Sequence, residues 1–200
     1  MKTTYAAQCR ITTPLGPMTL AATAHGLAGA WFDGQAHHPG PLTAPVATDN
    51  RWLLQASREL GEYFLAQRQR FDVPLDPQGT PFQQAVWQVL RGISGGALQR
   101  YGEIARQLGR PQAARAVGAA VGRNPISVIV PCHRVVGQDG SLTGYAGGLP
   151  RKEALLRLEG GLEPAASAAK AACTAAFTDL QTPARRSNGS PAAKSPGAAL

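Results

Sequence analysis

Long apolar runs are missing from this chain. No stretch approaches the ~18–20 consecutive apolar residues needed to cross a bilayer, and the opening "MKTTYAAQCRITTPLG" lacks the apolar core of a secretory signal. The expectation is a globular, cytoplasmic protein with no membrane partner. Cysteine is scarce as well. Cys9, Cys132 and Cys173 are odd in number, far apart and without CxxC pairing, so neither a disulfide framework nor a common zinc motif is visible and the thiols are expected to be reduced. Acidic residues are the third shortage: 12 Asp/Glu face 20 Lys/Arg, a formal net charge of +8. The imbalance is local. Residues 1–79 carry six basic and six acidic residues, residues 80–160 ten and four, and residues 161–200 four and two. A basic segment joined to a neutral one suits a polyanionic partner such as nucleic acid, or a surface that serves only solubility.

What is present suffices for one or two small domains with a real core, since 44% of the 200 residues are hydrophobic. The pattern predicts an α+β fold in three parts. Residues 1–79 read as an N-terminal α/β scaffold domain with an antiparallel sheet. In it "YAAQCRITTPLGPMTLAATAHGLAGAWFDG" alternates apolar and polar residues around turn signals, as a meander does. A Pro- and Gly-rich loop at 35–49 precedes "RWLLQASRELGEYFLAQ", a helix with Leu53, Leu54, Leu60, Tyr63 and Phe64 near one face, and then a strand at "RFDVPL". After the linker "DPQG", residues 80–162 read as a mostly helical domain. Thr80 is suited to cap a helix that starts at Pro81, with Phe82, Val86, Val89, Leu90 and Ile93 as its apolar stripe. The segments "YGEIARQLG" and "PQAARAVGAAVG", joined tightly through "GRP", form a helix-turn-helix pattern. The tail 163–200 is dominated by Ala, Ser, Pro and Lys and is expected to be disordered, apart from a short Ala-rich helix near 165–180. Arg185, Arg186 and Lys194 in it add weak basic character, and Cys173 is incidental.

Two features carry chemistry. In the second helix of the pair, Ala113, Ala114, Ala116, Gly118, Ala119, Ala120 and Gly122 leave Arg115 as the main large projection. Such a helix either packs tightly on a neighbour or approaches a narrow groove such as the ~6 Å minor groove of DNA while one long cation reaches inside. The other feature is "VIVPCHRVVG", where Cys132 follows a short apolar run and precedes His133 and Arg134. As a filler, Cys132 would be buried and inert. As a nucleophile it would draw on the neighbouring imidazole and guanidinium, which favour thiolate over thiol, with a third group to orient the ring. Glu153 and Glu159, in "LPRKEALLRLEG", both offer a carboxylate for that purpose.

The set "TPFQQAVWQVL", "YGEIA", "AARAVG", "RNP", "PCHRVVG", "GSLTGYAGG" and "RKEALLRLEG" runs in order through residues 80–160 and strongly resembles the O6-alkylguanine-DNA alkyltransferase family, the methylated-DNA-protein-cysteine methyltransferases. Residues 1–79 resemble that family more loosely. The resemblance implies irreversible, single-use transfer of an alkyl group from guanine O6, with thymine O4 as a further substrate, in double-stranded DNA to Cys132, by a monomer without a cofactor. Carried over residue by residue, His133 would act through a water as the base, Glu159 would orient it, Tyr101 would donate to the turned-out guanine, and Asn124 would be the hinge of the active-site loop. Arg115 would fill the vacated space in the duplex, with Ala114, Gly118 and Arg123 beside it on the DNA. Val135, Tyr145, Ala146, Gly147 and Lys152 would form the alkylguanine pocket. The carbonyls around Cys132 and Val135 would read the exocyclic amine, the 146–148 loop would supply N–H groups, and Lys152 would either tie that loop down or lie in solvent. Ala146 and Arg100 depart from the family pattern, where hydroxyl residues are common. Thr4, Thr23 and Ala28 stand where some relatives bind zinc, so no metal is expected. A lesion-binding relative that lacks the nucleophile and a cysteine hydrolase on another fold are the competing readings. The cysteine in "PCHR" argues against the former, and the basic helix-turn-helix against the latter.

Overall fold

The structure is a computed structural model that describes residues 4–162; the tail read as disordered, with Cys173, Arg185, Arg186 and Lys194, lies outside the described residues. Three strands, β1 (Ala7–Ile11), β2 (Met18–Ala22) and β3 (Leu27–Phe32), form the expected meander in the order β1-β2-β3, antiparallel throughout. Helix α1 (Arg51–Phe64) lies across this sheet. Its start is fixed by Asn50, whose side chain accepts from the N–H groups of Trp52 and Leu53 at 3.1 and 3.2 Å, satisfying donors that the first turn leaves orphaned. Leu53, Ala56, Leu60, Tyr63 and Phe64 form the buried face. Leu54, expected on that face, is instead exposed: at about 100° per residue it falls outside the arc that Leu53, Ala56, Leu60, Tyr63 and Phe64 share.

The strand expected over residues 70–75 is absent. Leu75 makes only an isolated bridge to Leu27. The cause is chemical: the buried Glu59 carboxylate accepts the N–H groups of Asp72 and Val73 at 2.8 and 3.2 Å, and Pro74 has no N–H to offer a ladder. The remaining edge of β3 is closed further along by the second half of the chain. Ala30 N–H donates to Pro125 and accepts, at its carbonyl, from Ser127, at 2.9 and 2.8 Å.

Helix α2 (Pro81–Arg91) starts at the expected cap. Thr80 Oγ1 accepts from Gln83 N while the Gln83 side chain accepts from Thr80 N, a reciprocal arrangement that contributes about 1 kcal/mol. A two-residue strand β4 (Gln99–Arg100) runs straight into α3 (Tyr101–Gln107), and Gly109, at φ +68°, makes the left-handed exit from that helix. A 3₁₀ turn at Pro111–Ala113 then leads into α4 (Ala114–Gly122). The slim helix turns out to have two distinct sides. Val117, Ala120 and Val121 are buried, and Trp87 from α2 donates its indole N–H to the Ala120 carbonyl at 2.9 Å, whereas Arg115, Ala116 and Ala119 face outward. Strand β5 (Val135–Val136) pairs in parallel with β4, and α5 (Leu149–Leu158) follows. One cluster of buried side chains runs from Met18 and Phe32 through Leu60 and Leu90 to Leu155, so the sheet and the helices share a core. Among the described residues no helix is long and apolar enough to cross a membrane.

Candidate active site

Cys132 ends a loop whose backbone is held in an unusual path. Val128 has φ +72°, a conformation that a β-branched residue adopts only against steric cost, and Ile129 N–H donates to Ser127 O around it. Strain of this kind, of order 1–3 kcal/mol, persists only where surrounding contacts overdetermine it. Here the contacts are visible. Asn124 accepts from Ile126 N at its amide oxygen, while its amide nitrogen lies within donating distance of the carbonyls of Ile126 and Val130 and of Cys132 Sγ, the last at 3.0 Å. One buried amide thus braces two turns of the loop and holds the sulfur.

The sulfur is buried, as the apolar run before it suggested, and is not the thiolate that His133 and Arg134 would favour. Cys132 is 3% exposed, and its pKa is pushed up to about 11, chiefly by burial, against the lowering effects of the Asn124 bond and the nearby Lys152 charge. The resting group is a thiol. Arg134 is engaged elsewhere. Its guanidinium turns away, donating to the Ile93 carbonyl and, through Nε and Nη2, to both oxygens of Glu159 at 2.8 and 2.7 Å. His133 is fully buried and places Nε2 3.0 Å from Glu159 Oε1, while Nδ1 has no protein partner among the described residues. Burial lowers the imidazole pKa and Glu159 opposes it, so the ring is neutral at neutral pH, with Nε2 donating to the carboxylate and Nδ1 left with a free lone pair. Burial pushes the Glu159 carboxyl up, but the hydrogen bonds from His133 and Arg134 outweigh it and hold the pKa at about 2.

The remaining candidates divide into two groups. Tyr101 opens α3 beside β5 because the β4–β5 pairing places it there. Its hydroxyl donates to Thr143 O at 3.4 Å, a long bond that leaves it available to another acceptor. Lys152 is buried and donates to the carbonyls of Val135 and Thr143, the latter at 2.6 Å, so it ties the 143–148 loop to β5; burial lowers its pKa to about 8. The Val135 carbonyl expected to read a ligand amine therefore already has one donor, and one lone pair is left. Tyr145 is buried, stands edge-on to His133 with ring centroids 6.4 Å apart, and has its phenol pKa raised by burial. The Ala146 carbonyl is held by Ala36 N at 2.9 Å and that of Gly147 by Arg151 at 2.9 Å. Gly147 is required sterically, as a Cβ there would sit 2.5 Å from the Tyr145 ring. Arg115 and Arg123 are exposed, with Ala114 and Gly118 half-buried, all on or just after α4. Glu153 pairs with Arg157 on the surface of α5. Two contributors escaped sequence reasoning: Arg134 as the clamp on Glu159, and Tyr63, whose hydroxyl donates to Glu159 Oε1 at 2.7 Å from 96 residues away. Among the described residues no cluster of three or more His, Cys, Asp or Glu is placed to hold a metal.

Residues 81–161 match the family model described as 6-O-methylguanine DNA methyltransferase, DNA binding domain, and residues 2–77 match that of the same family's ribonuclease-like domain. A methylated-DNA--protein-cysteine methyltransferase of Methanosarcina acetivorans is 47% identical over 148 residues, covering 74% of this chain and 94% of that protein. The protein of the same name from Mycobacterium bovis is 47% identical over 155 residues, covering 78% and 93%. Among solved structures, Mycobacterium tuberculosis OGT in complex with DNA superposes with a TM-score of 0.71 at 47% identity, covering 76% of this chain and 92% of that one.

Proposed function

Because the chain belongs to the 6-O-methylguanine DNA methyltransferase family, we propose that Cys132 is the atom set that receives the alkyl group and that the surrounding side chains act as follows. The protein is a methylated-DNA–protein-cysteine methyltransferase, a DNA repair enzyme whose partner is DNA. An alkyl group on guanine O6 lies inside the stacked duplex, so the nucleotide must be turned out, which costs a few kcal/mol. The outward face of α4, bare except for Arg115, fits the minor groove, and the Arg115 side chain fills the space left behind and offsets that cost. Residues 80–162 form the DNA-binding and transfer domain in this reading and residues 1–79 its scaffold.

In the chemical step the Cys132 Sγ–C bond forms as the C–O6 bond of guanine breaks. The thiol proton leaves through a water to His133 Nδ1, the free lone pair of a ring that Glu159 orients and whose positive charge Glu159 then balances. Guanine departs as an anion stabilised by a hydrogen bond from Tyr101, and takes up the equivalent of the proton the thiol lost. A thiol with a pKa near 11 is well suited to this order of events, since it stays unreactive until substrate and base act on it together. The observation that carries the proposal is the Asn124-held sulfur one residue before a neutral, Glu159-oriented imidazole. No step returns the sulfur to a thiol. Incubated with an excess of duplex carrying O6-methylguanine, each protein molecule should remove one methyl group and then stop; continued turnover would contradict the mechanism. The reading includes a cytoplasmic location, which recovery in a membrane fraction would contradict.

A further inference from the structure

Glu159 Oε1 is unusually crowded for a carboxylate oxygen. It receives His133 Nε2 at 3.0 Å, Arg134 Nη2 at 2.7 Å and the Tyr63 hydroxyl at 2.7 Å. The first two donors belong to the active-site segment, but Tyr63 comes from the helix that covers the sheet. Packing alone would be served by phenylalanine. The Tyr63 ring is 2% exposed and wedged between Phe64 and Phe71, each with its centroid 5.4 Å away, so the direction of the hydroxyl is set by the scaffold and not by the carboxylate it meets. A cavity of about 40 Å³, lined by Tyr63, Gln69, Gly95, Arg134 and Glu159, lies alongside. It is large enough for water. The phenol nonetheless donates to Glu159, the carboxylate that faces the base.

We propose that Tyr63 is a positioning residue for alkyl transfer, fixing through its hydroxyl the Glu159 oxygen that orients His133. The inference rests on the assignment of Cys132 as acceptor and His133 as its base. Two consequences follow from the geometry. The carboxylate cannot swing toward the cavity, and part of the charge on Oε1 is taken up by the phenol rather than by the imidazole. The groups facing His133 are Glu159, Arg134, Lys152 from α5 and Tyr145; Glu159 also faces Tyr63 and, across the cavity, Arg68. Without the phenol proton, Glu159 would bind the imidazolium form more strongly. His133 would then hold its proton to higher pH and be a free base over a narrower range.

The test is the pH dependence of single-turnover methyl transfer by the full chain, comparing wild type with Tyr63→Phe, a change that keeps both ring contacts. The rising limb of the profile should move up in Tyr63→Phe, with a rate loss on the acid side of the limb that reaches about tenfold for a shift of one pKa unit and shrinks toward twofold or less on the plateau above it. In the Glu159→Gln background the same change should add little. 3-Fluorotyrosine at position 63, a stronger donor in the same place, should move the limb the opposite way, and it reports even if the phenylalanine variant folds poorly. Superimposable profiles, a loss of equal size at every pH, or a loss that multiplies fully with that of Glu159→Gln would each overturn the proposal. A wild-type protein that transfers no methyl to Cys132 would overturn the assignment beneath it as well, which separates the two failures.

Discussion

Among the described residues each half of the molecule buries one carboxylate side chain, and the two are satisfied in opposite ways. Glu59, in the scaffold half, is fully buried and is bound mainly by uncharged donors: the Gln55 amide at 2.7 Å and the backbone N–H groups of Asp72 and Val73. Glu159, in the basic half, is bound by a guanidinium, an imidazole and a phenol. Neutral donors fix a chain path and have no second state. A carboxylate shared between a permanent cation and a titratable ring can answer a change of charge on that ring, which a proton-transfer step needs. The difference teaches that burial and hydrogen bonding alone do not mark a functional acid; the chemistry of its partners does.

The comparison breaks if the two carboxylates can be exchanged in their effects. The largest difference is expected from Glu159→Gln, which should lower the methyl-transfer rate by about 10²-fold, the lower range for a positioned acid–base group, with DNA binding retained. A loss of less than about threefold would remove Glu159 from the proton path. The same variant should also flatten the acid limb of stability. Because the Glu159 pKa is depressed to about 2 from its usual 4.5, its contribution is complete above the ordinary carboxylate range and is lost as pH falls toward 2. Tryptophan fluorescence during acid titration reads this directly, and an unchanged acid limb would contradict it.

Arg115→Ala comes next. It should slow transfer about tenfold on a duplex but much less on a single strand, where no stacked space needs filling; equal slowing on both would remove the filling role. The smallest effect on rate belongs to the scaffold carboxylate. Glu59→Ala leaves two backbone donors without their acceptor and should destabilise the fold by about 1–3 kcal/mol in urea, while the transfer rate of the folded protein stays within about twofold of wild type. A rate loss there comparable to that of Glu159→Gln would erase the distinction between the halves.

Local signals in the chain account for much of the fold. Alternation and turns predict the meander, Thr80 followed by Pro81 predicts the start of α2, and Gly109 with Pro111 predicts the break between α3 and α4. What escaped was set by contacts distant in sequence. The 70–75 segment looks like a strand until Glu59 takes two of its N–H groups. Arg134 adjoins Cys132 in the chain, yet its direction is decided by Glu159, 25 residues on. Tyr63 reads as one more apolar position on a helix face, because its hydroxyl finds a partner only when α1 packs against the end of α5. The apolar run before Cys132 signals burial and the histidine after it signals chemistry; the fold satisfies both, with a sulfur that is covered at rest.

The account depends on that one sulfur as the acceptor. After the full chain reacts with a duplex containing O6-methylguanine, peptide mass mapping should find a single added methyl group, on Cys132, and Cys132→Ala should bind the same duplex without acquiring any. A methyl group mapped to Cys9 or Cys173 would contradict it.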